Sequence, residues 1–159
     1  SRMAELSNQE MVAIIDEMLE QTRVAAFTRD FDLFSQWCSL PHTITTFDKK
    51  RTIKTVDEMK AVFFAQCDNF AAMQVTDMVR KCEAVKLESP DCIHEMHITN
   101  LMSGDHRVTD PYPAYMVLVR ENGAWRVSGS DYAVKAGSGF EKAMSKEPKP
   151  TAGPEAEKK

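Results

Sequence analysis

Residues 114–134, with the sequence AYMVLVRENGAWRVSGSDYAV, carry the strongest fold signal in the chain. Two runs rich in aliphatic and aromatic residues flank Asn122-Gly123, a pair that tolerates the positive φ angles of a tight type I′ turn. The pattern therefore predicts a β-hairpin. Its first run, residues 114–121, is apolar on both faces. This favours a strand that is covered on both sides of its sheet, as at a dimer interface.

More strands are predicted before this hairpin. Residues 80–88, RKCEAVKLE, and residues 92–102, CIHEMHITNLM, are separated by Ser89-Pro90-Asp91, a combination typical of a turn. Earlier, residues 42–55, HTITTFDKKRTIKT, combine β-branched residues with a polar centre, which predicts another hairpin. The long strands of the second half should form an antiparallel meander.

Helices are predicted only in the first half of the chain. Residues 7–10 and 55–58 are capping boxes, in which a Ser or Thr is followed three positions later by Glu. The predicted helices cover about residues 8–28, 31–38 and 56–73, the second capped by Asp30 and ended by Leu40-Pro41. Helices segregated from a run of strands indicate an α+β fold. We expect a curved, mostly antiparallel sheet that wraps around about three helices and encloses a cavity.

Bulk composition limits the kind of protein. The chain has 159 residues, 43% hydrophobic and 28% charged, and a net charge of -4, which fits one globular domain. Without a basic patch we expect no nucleic-acid partner. No apolar run is long enough for a membrane span or a signal peptide. We therefore expect a cytoplasmic protein whose four cysteines are reduced thiols.

The ends of the chain differ from its centre. Residues 145–159 combine prolines, lysines and glutamates without a large apolar side chain, so they cannot bury enough surface to offset the entropy of ordering. We divide the chain into an N-terminal extension (1–7), a folded domain (8–140) and a disordered tail (141–159). Residues 136–140, AGSGF, are predicted to be a linker.

The order of these elements resembles the nuclear transport factor 2-like superfamily, and within it the SnoaL-like branch. The opening helix, FDLFSQWCSLPHTITTF (31–47), TVDEMKAVFF (55–64) and YMVLVRENGAWRV (115–127) carry the resemblance. The resemblance implies a cone-shaped α+β fold with a pocket, and commonly a homodimer formed through the sheet. The superfamily includes isomerase, dehydratase and cyclase enzymes as well as modules without catalysis, so the fold does not decide the function.

Residues 94–97, His-Glu-Met-His, form the densest polar cluster. On a strand, His94 and His97 point to opposite faces, so they cannot share a metal ion, and we expect no metal site. The face of His94 also carries Met96 and Ile98, so we predict that His94 faces the cavity and that the opposite face, with His97, is solvated or dimer-facing. His94 is then either a catalytic residue or a hydrogen-bonded core histidine.

Asp131 and Tyr115 complete the predicted catalytic set. Strict alternation from Trp125 and Val127 places Asp131 on the pocket face, where burial would suit a general acid or base. The alternative is an exposed Asp131 at the strand end. Tyr115 could donate its phenol to a ligand oxygen, or simply belong to the core.

Aromatic residues and His42 supply the predicted ligand contacts. Trp37 and Phe63 lie at core spacing on the predicted helices, and His42 follows Pro41 near the expected pocket mouth. The first functional hypothesis is a cofactor-free acid/base enzyme (isomerase, dehydratase or cyclase) acting on an apolar small molecule. The alternative is a dimeric ligand-binding or scaffold module without chemistry.

Overall fold

The computed structural model describes residues 5–135 and 137–150 and contains helices packed against one curved, unclosed sheet. The helices are α1 (Asn8–Thr28), α2 (Phe31–Ser35), α3 (Val56–Ala72) and α4 (Gly139–Met144). The strands are β1 (Cys38–Thr45), β2 (Lys50–Ile53), β3 (Asp77–Ser89), β4 (Cys92–Ser103), β5 (His106–Arg107), β6 (Tyr112–Glu121) and β7 (Ala124–Tyr132). The predicted α+β class is confirmed.

The sheet has the strand order β2-β1-β7-β6-β4-β3, with β5 beside β4. Its pairs are antiparallel except β1 and β7, which run parallel. One face, the inner face, is covered by α1, α2 and α3. The other, the outer face, is open in the single chain.

The predicted helix starts are confirmed. The Ser7 hydroxyl accepts from the backbone N–H of Glu10, whose carboxylate accepts from the N–H of Ser7. The Thr55 hydroxyl likewise accepts from the N–H of Glu58, but the Glu58 carboxylate accepts from the N–H of Lys54. The predicted end of the second helix is wrong, because α2 ends at Ser35 and Leu40-Pro41 lies inside β1. Proline is tolerated where a strand does not need its N–H, and the β1–β7 register shifts across this stretch.

The β6–β7 hairpin has the predicted turn and an unpredicted bulge. Asn122 and Gly123 adopt φ of 51° and 81°. Leu118 then pairs with Val127, but Val117 pairs with Gly129, so Ser128 is an extra residue in β7. Such a β-bulge shifts the alternation by one residue, so every later side chain changes face.

The core lies between α1, α3 and the inner face. Ile15 and Met18 of α1 pack against Ile93 of β4 and Leu118 of β6, and all four are essentially inaccessible to solvent. Each such side chain contributes about 1.5–3 kcal/mol through burial. This layer fixes one side of the sheet against α1.

Helix α4 closes the end of the cone where a linker and the start of the tail were predicted. Ser138 caps it, and the buried side chains of Ala143 and Met144 join the core cluster that includes α3 residues. The Glu141 carboxylate pairs with Nζ of Lys49 at 2.7 Å. Residues 1–4 of the predicted extension and 151–159 of the predicted tail lie outside the described residues.

Candidate functional site

A cavity of about 100 Å³ lies between the helices and the inner face of the sheet. Its apolar walls include Met59, Val62, Phe63, Phe70, Met78, Phe140 and Met144. Its polar lining consists of Thr22, His42, Gln66, Arg80, His97, Thr99, Tyr112 and Tyr132. A mostly apolar, concave wall with a few convergent polar groups is typical of a small-molecule site.

Strand β4 supplies the central pair of polar groups. Alternation along β4 turns Glu95, His97 and Thr99 to the inner face, where all three are buried. Nδ1 of His97 donates to Oε1 of Glu95 at 2.8 Å, and neither side chain has exposed surface. Because an ionised carboxylate can only accept a hydrogen bond, the ring proton of His97 lies on Nδ1. Nε2 of His97 is then the nitrogen with a free lone pair.

Three buried polar atoms of this region have no hydrogen-bond partner among the described residues. They are Nε2 of His97, Oε2 of Glu95 and Nε of Arg80. A buried polar group without a partner costs about 1–3 kcal/mol, and such groups are uncommon in native proteins. His97 and Arg80 line the cavity, so a molecule bound there would lie beside their side chains.

Arg80 brings a positive charge to the inner face from β3. It pairs across the sheet with Thr99. Its Nη2 donates to the carbonyl oxygen of Leu19 and to Oγ1 of Thr22, both at 2.7 Å. Burial lowers the pKa of Arg80, against the opposing attraction of Tyr132, Tyr112 and Glu95. The guanidinium is therefore fixed to α1 and only partly compensated by negative charge.

A second set of hydrogen-bonded polar side chains lines the β1 side of the cavity. Nδ1 of His42 donates to the carbonyl oxygen of Val127 at 2.9 Å, so its Nε2 can accept from Oγ of Ser130 at 3.5 Å. The Ser130 hydroxyl also shares a hydrogen bond with Tyr132. Burial lowers the pKa of His42, outweighing its bond to the backbone. His42 is accordingly a neutral acceptor at pH 7.

Two phenols complete the polar lining. Burial is the largest influence on both and raises the pKa of Tyr112 and Tyr132 above the ordinary tyrosine value. The positive charge of Arg80 and the hydrogen bond with Thr99 act in the opposite direction on Tyr112. Both phenols stay protonated at neutral pH, but each has a single O–H. Tyr132 donates to Ser130, whose own proton goes to His42. Tyr112 can accept from Thr99 and donate to an oxygen of a bound molecule.

The predicted catalytic residues lie elsewhere, on the outer face. His94 and Asp131 are exposed, Tyr115 is 52% exposed, and all three line a shallow groove of about 490 Å³. His94 pairs with Val117 on β6 while Asp131 pairs with Tyr115, so β6 separates the two groups. The prediction that His94 faces the cavity is wrong, and of the two readings of Asp131 the structure has the exposed residue near the strand end. Their catalytic role stays a prediction.

Each misplacement has a physical cause. For Asp131 the cause is the Ser128 bulge, which sends Asp131 outward and Tyr132 inward. For β4 the cause is the rule that the more apolar face of a strand faces the core, which here points to the face of His94. The inner face of this strand instead concentrates the polar residues Glu95 and His97, because the cavity is polar at this point.

The predicted ligand contacts divide in two. Phe63 and His42 line the cavity, and His42 is more deeply buried than a residue at the pocket mouth would be. Trp37 does not line it. Its side chain packs in the α1 core layer, and its indole N–H donates to Oε1 of Gln21 at 2.7 Å.

Sequence reasoning missed Arg80, Glu95, His97, Tyr112 and Tyr132 as candidate site residues. One signal was available: Glu95, His97 and Thr99 share a face with Ile93 and Leu101, so their polar patch is flanked by apolar residues at both ends. A flanked patch of this kind favours a polar pocket over a solvated surface. In residues 5–135 and 137–150 no group of three or more His, Cys, Asp or Glu could hold a metal ion. No helix in these ranges is long and apolar enough to cross a membrane.

Solved structures share this fold. An NTF2-like protein of unknown function from Shewanella oneidensis MR-1 superposes with a TM-score of 0.61 at 11% identity, covering 77% of this chain and 98% of that one. A protein of unknown function with a cystatin-like fold from Nostoc punctiforme PCC 73102 gives 0.61 at 14% identity, covering 84% and 97%. A protein provisionally named a ketosteroid isomerase, from Shewanella frigidimarina NCIMB 400, gives 0.57 at 10% identity, covering 76% and 94%.

Sequence comparisons add nothing to this. No protein-family model matches the chain, and no curated protein matches it. The structural likeness establishes the NTF2-like cone fold, as expected from the sequence.

Proposed function

We propose that the inner cavity binds a small molecule and that His97 moves a proton to or from it, with Glu95 holding the imidazole in place. The observation that carries the proposal is the buried 2.8 Å bond between Nδ1 of His97 and Oε1 of Glu95, with Nε2 of His97 left unbonded at the cavity wall. A base oriented by a third group through its other nitrogen is the arrangement that general acid–base catalysis uses.

The remaining polar groups suit a carbonyl compound. Removal of a proton next to a carbonyl group places negative charge on the oxygen, and protonated phenols stabilise such an oxygen. Tyr112 is such a protonated donor at the cavity wall. The reaction class is thus proton abstraction next to a carbonyl, as in an isomerase, dehydratase or cyclase, and we propose no cofactor for it.

The cavity limits the size of the molecule. Pockets for drug-sized ligands are about 300–1,000 Å³, whereas this cavity is about 100 Å³. A cavity of this volume therefore fits a compact molecule. Met59, Met78 and Met144 line the wall, and flexible methionine side chains can adapt to a somewhat larger one.

Exchange of carbon-bound hydrogen tests the proposal. Acetone is incubated with the protein in D₂O, and loss of its methyl proton signal is followed by NMR. The wild type should accelerate exchange, and His97→Gln should lower the acceleration about 100-fold, within the range of general acid–base catalysis. His94→Gln is the matched control, because His94 lies on the outer face of the same strand. Equal rates for wild type and His97→Gln would refute the proposal.

The second candidate function is a dimeric binding module without catalysis. The observation that favours it is the outer face of the sheet, where Tyr115 is 52% exposed beside the partly exposed Val117 and Met96. We propose that a second copy of the chain covers this face. This homodimer is compatible with either function, since the inner cavity lies on the opposite side of the sheet.

A further inference from the structure

We propose that the cavity selects a small anion, in particular a compact carboxylate with a neighbouring carbonyl group, and that Arg80 is the residue that binds its carboxylate. This inference rests on the proposed function, because it names the substrate class of the same cavity. It is carried by the partners of Arg80, by its position relative to His97, and by the size of the cavity.

The guanidinium of Arg80 has no carboxylate partner within the described ranges. Its two hydrogen bonds go to neutral oxygens, the carbonyl of Leu19 and the hydroxyl of Thr22. Glu95 acts on it only through space, because Oε1 of Glu95 accepts from His97. The Arg80 side chain is partly buried, and the planar donors of a guanidinium match a carboxylate.

Two acidic residues that share a surface groove with Arg80, namely Glu20 and Asp77, are paired with Arg23. Arg23 pairs with Glu20 at 2.8 Å and with Asp77 at 3.4 Å. Nε of Arg80 has neither solvent contact nor a hydrogen-bond partner. An anion inside the cavity would supply both the missing charge and the missing acceptor.

The sheet register places Arg80 close to the proposed base. Arg80 pairs with Thr99, and Cys82 pairs with His97, so Arg80 and His97 are diagonal neighbours on the inner face. Diagonal neighbours in a sheet lie about 7–8 Å apart at their Cα atoms. One compact molecule can therefore place a carboxylate on Arg80 and a carbon-bound hydrogen at Nε2 of His97.

Pyruvate and its neutral amide, pyruvamide, form a matched pair of probes, because they have the same number of non-hydrogen atoms. Each is titrated into ¹⁵N-histidine-labelled protein, and the imidazole signals of His97 report occupancy of the cavity. The wild type should bind pyruvate about tenfold or more tightly than pyruvamide, as expected of a charge-assisted bond. Arg80→Gln should abolish this preference, and Arg80→Lys should retain part of it.

Two controls separate ligand binding from a purely structural role. Arg23→Gln removes a neighbouring arginine that does not line the cavity, so it should leave the preference unchanged. Arg126→Gln removes a partly buried arginine that bonds the backbone carbonyls of Ser35 and Cys38 away from the cavity. It should lower the melting temperature but keep the preference for pyruvate, and Arg80→Lys, which keeps the charge, remains informative if Arg80→Gln does not fold.

The outcomes distinguish this inference from the proposed function. Equal affinity for both probes, tighter binding of pyruvamide, or a preference unchanged in Arg80→Gln overturns the anion site while His97 still reports a ligand. If neither probe nor acetone moves the His97 signals at saturating concentration, the cavity does not bind these molecules, and both proposals fail.

Discussion

Nδ1 of His97 donates a 2.8 Å hydrogen bond to Oε1 of Glu95, two residues earlier on the same strand, and neither side chain has exposed surface. The spacing of two on a strand places both side chains on one face, so β4 alone holds the base and its orienting carboxylate. A pair held by one rigid strand keeps its geometry without help from a loop.

Glu95→Gln keeps the shape of the side chain but removes its charge. The bond to His97 then joins neutral groups, so the free energy of unfolding should fall by about 2 kcal/mol, the usual worth of a hydrogen bond to a charged group. Urea denaturation followed by tryptophan fluorescence measures this. Glu83→Gln, at an exposed position of β3, should change stability by about 0.5 kcal/mol or less. Equal effects of the two substitutions would contradict the assigned role of Glu95.

His42 should make stability depend on pH. Its pKa is lowered by burial in the folded protein, whereas the unfolded chain has the ordinary histidine pKa of about 6.5. Below that pH the unfolded state binds a proton that the folded state takes up only at lower pH. The stabilisation is therefore complete above about pH 6.5 and is lost as the pH falls towards the folded pKa.

Urea denaturation between pH 5 and pH 8 checks this expectation. His42→Gln should flatten the decline in stability on the acidic side. His106→Gln should leave the decline unchanged, because the His106 side chain is 87% exposed. If the slope survives in His42→Gln, another group is responsible for it.

The order of the elements could be predicted from the sequence because caps and turns depend only on residues that are close together in the chain. Capping boxes mark the starts of α1 and α3, and Asn122-Gly123 marks the β6–β7 turn. The face of each strand was harder to predict. One extra residue, Ser128, reverses the alternation of β7, and a serine side chain does not by itself indicate a bulge.

The site could be predicted only in part, because a functional cavity breaks the rule that apolar residues face inward. The positions of His42 and Phe63 in their elements predict that they line the cavity, and they do, whereas the polarity of Glu95 and His97 predicts an outward position that the structure does not have. Helix α4 was missed because six residues rarely form a helix alone. Its stability comes from the Lys49 ion pair and from packing against α3.

Loosening α4 should open the cavity. The hydrogen bond from Lys49 is the main cause of the lowered pKa of Glu141, and Phe140 and Met144 of the same helix form part of the cavity wall. Glu141→Gln should therefore speed hydrogen exchange at the amides of residues 142–145 and raise the rate at which a probe enters. Asp68→Asn on α3 removes an exposed 2.7 Å ion pair with Arg29, the residue that follows α1, and should not change either rate. Unchanged exchange in Glu141→Gln would show that packing alone holds the helix.

The same ion pair predicts a second dependence on pH. Because the pKa of Glu141 is lower in the folded protein than in the unfolded chain, its contribution is complete above the ordinary glutamate pKa of about 4.3 and is lost as the pH falls through the folded value. Wild-type exchange at α4 should consequently approach that of Glu141→Gln only in strong acid. Convergence of the two near neutral pH would assign the opening of α4 to another group.

We expect the Tyr115 side chain to be required for the association of two chains. It lies on the outer face in mid-strand and is 52% exposed, so a two-fold contact through the sheet would bury it against the partner's copy of the same surface. Tyr115→Asp introduces like charges there, and sedimentation velocity should show a monomer where the wild type is a dimer. Val56→Asp is the matched control, because Val56 is also 52% exposed but lies at the start of α3. A monomeric wild type, or a Tyr115→Asp variant that still dimerises, would remove the outer face as the interface.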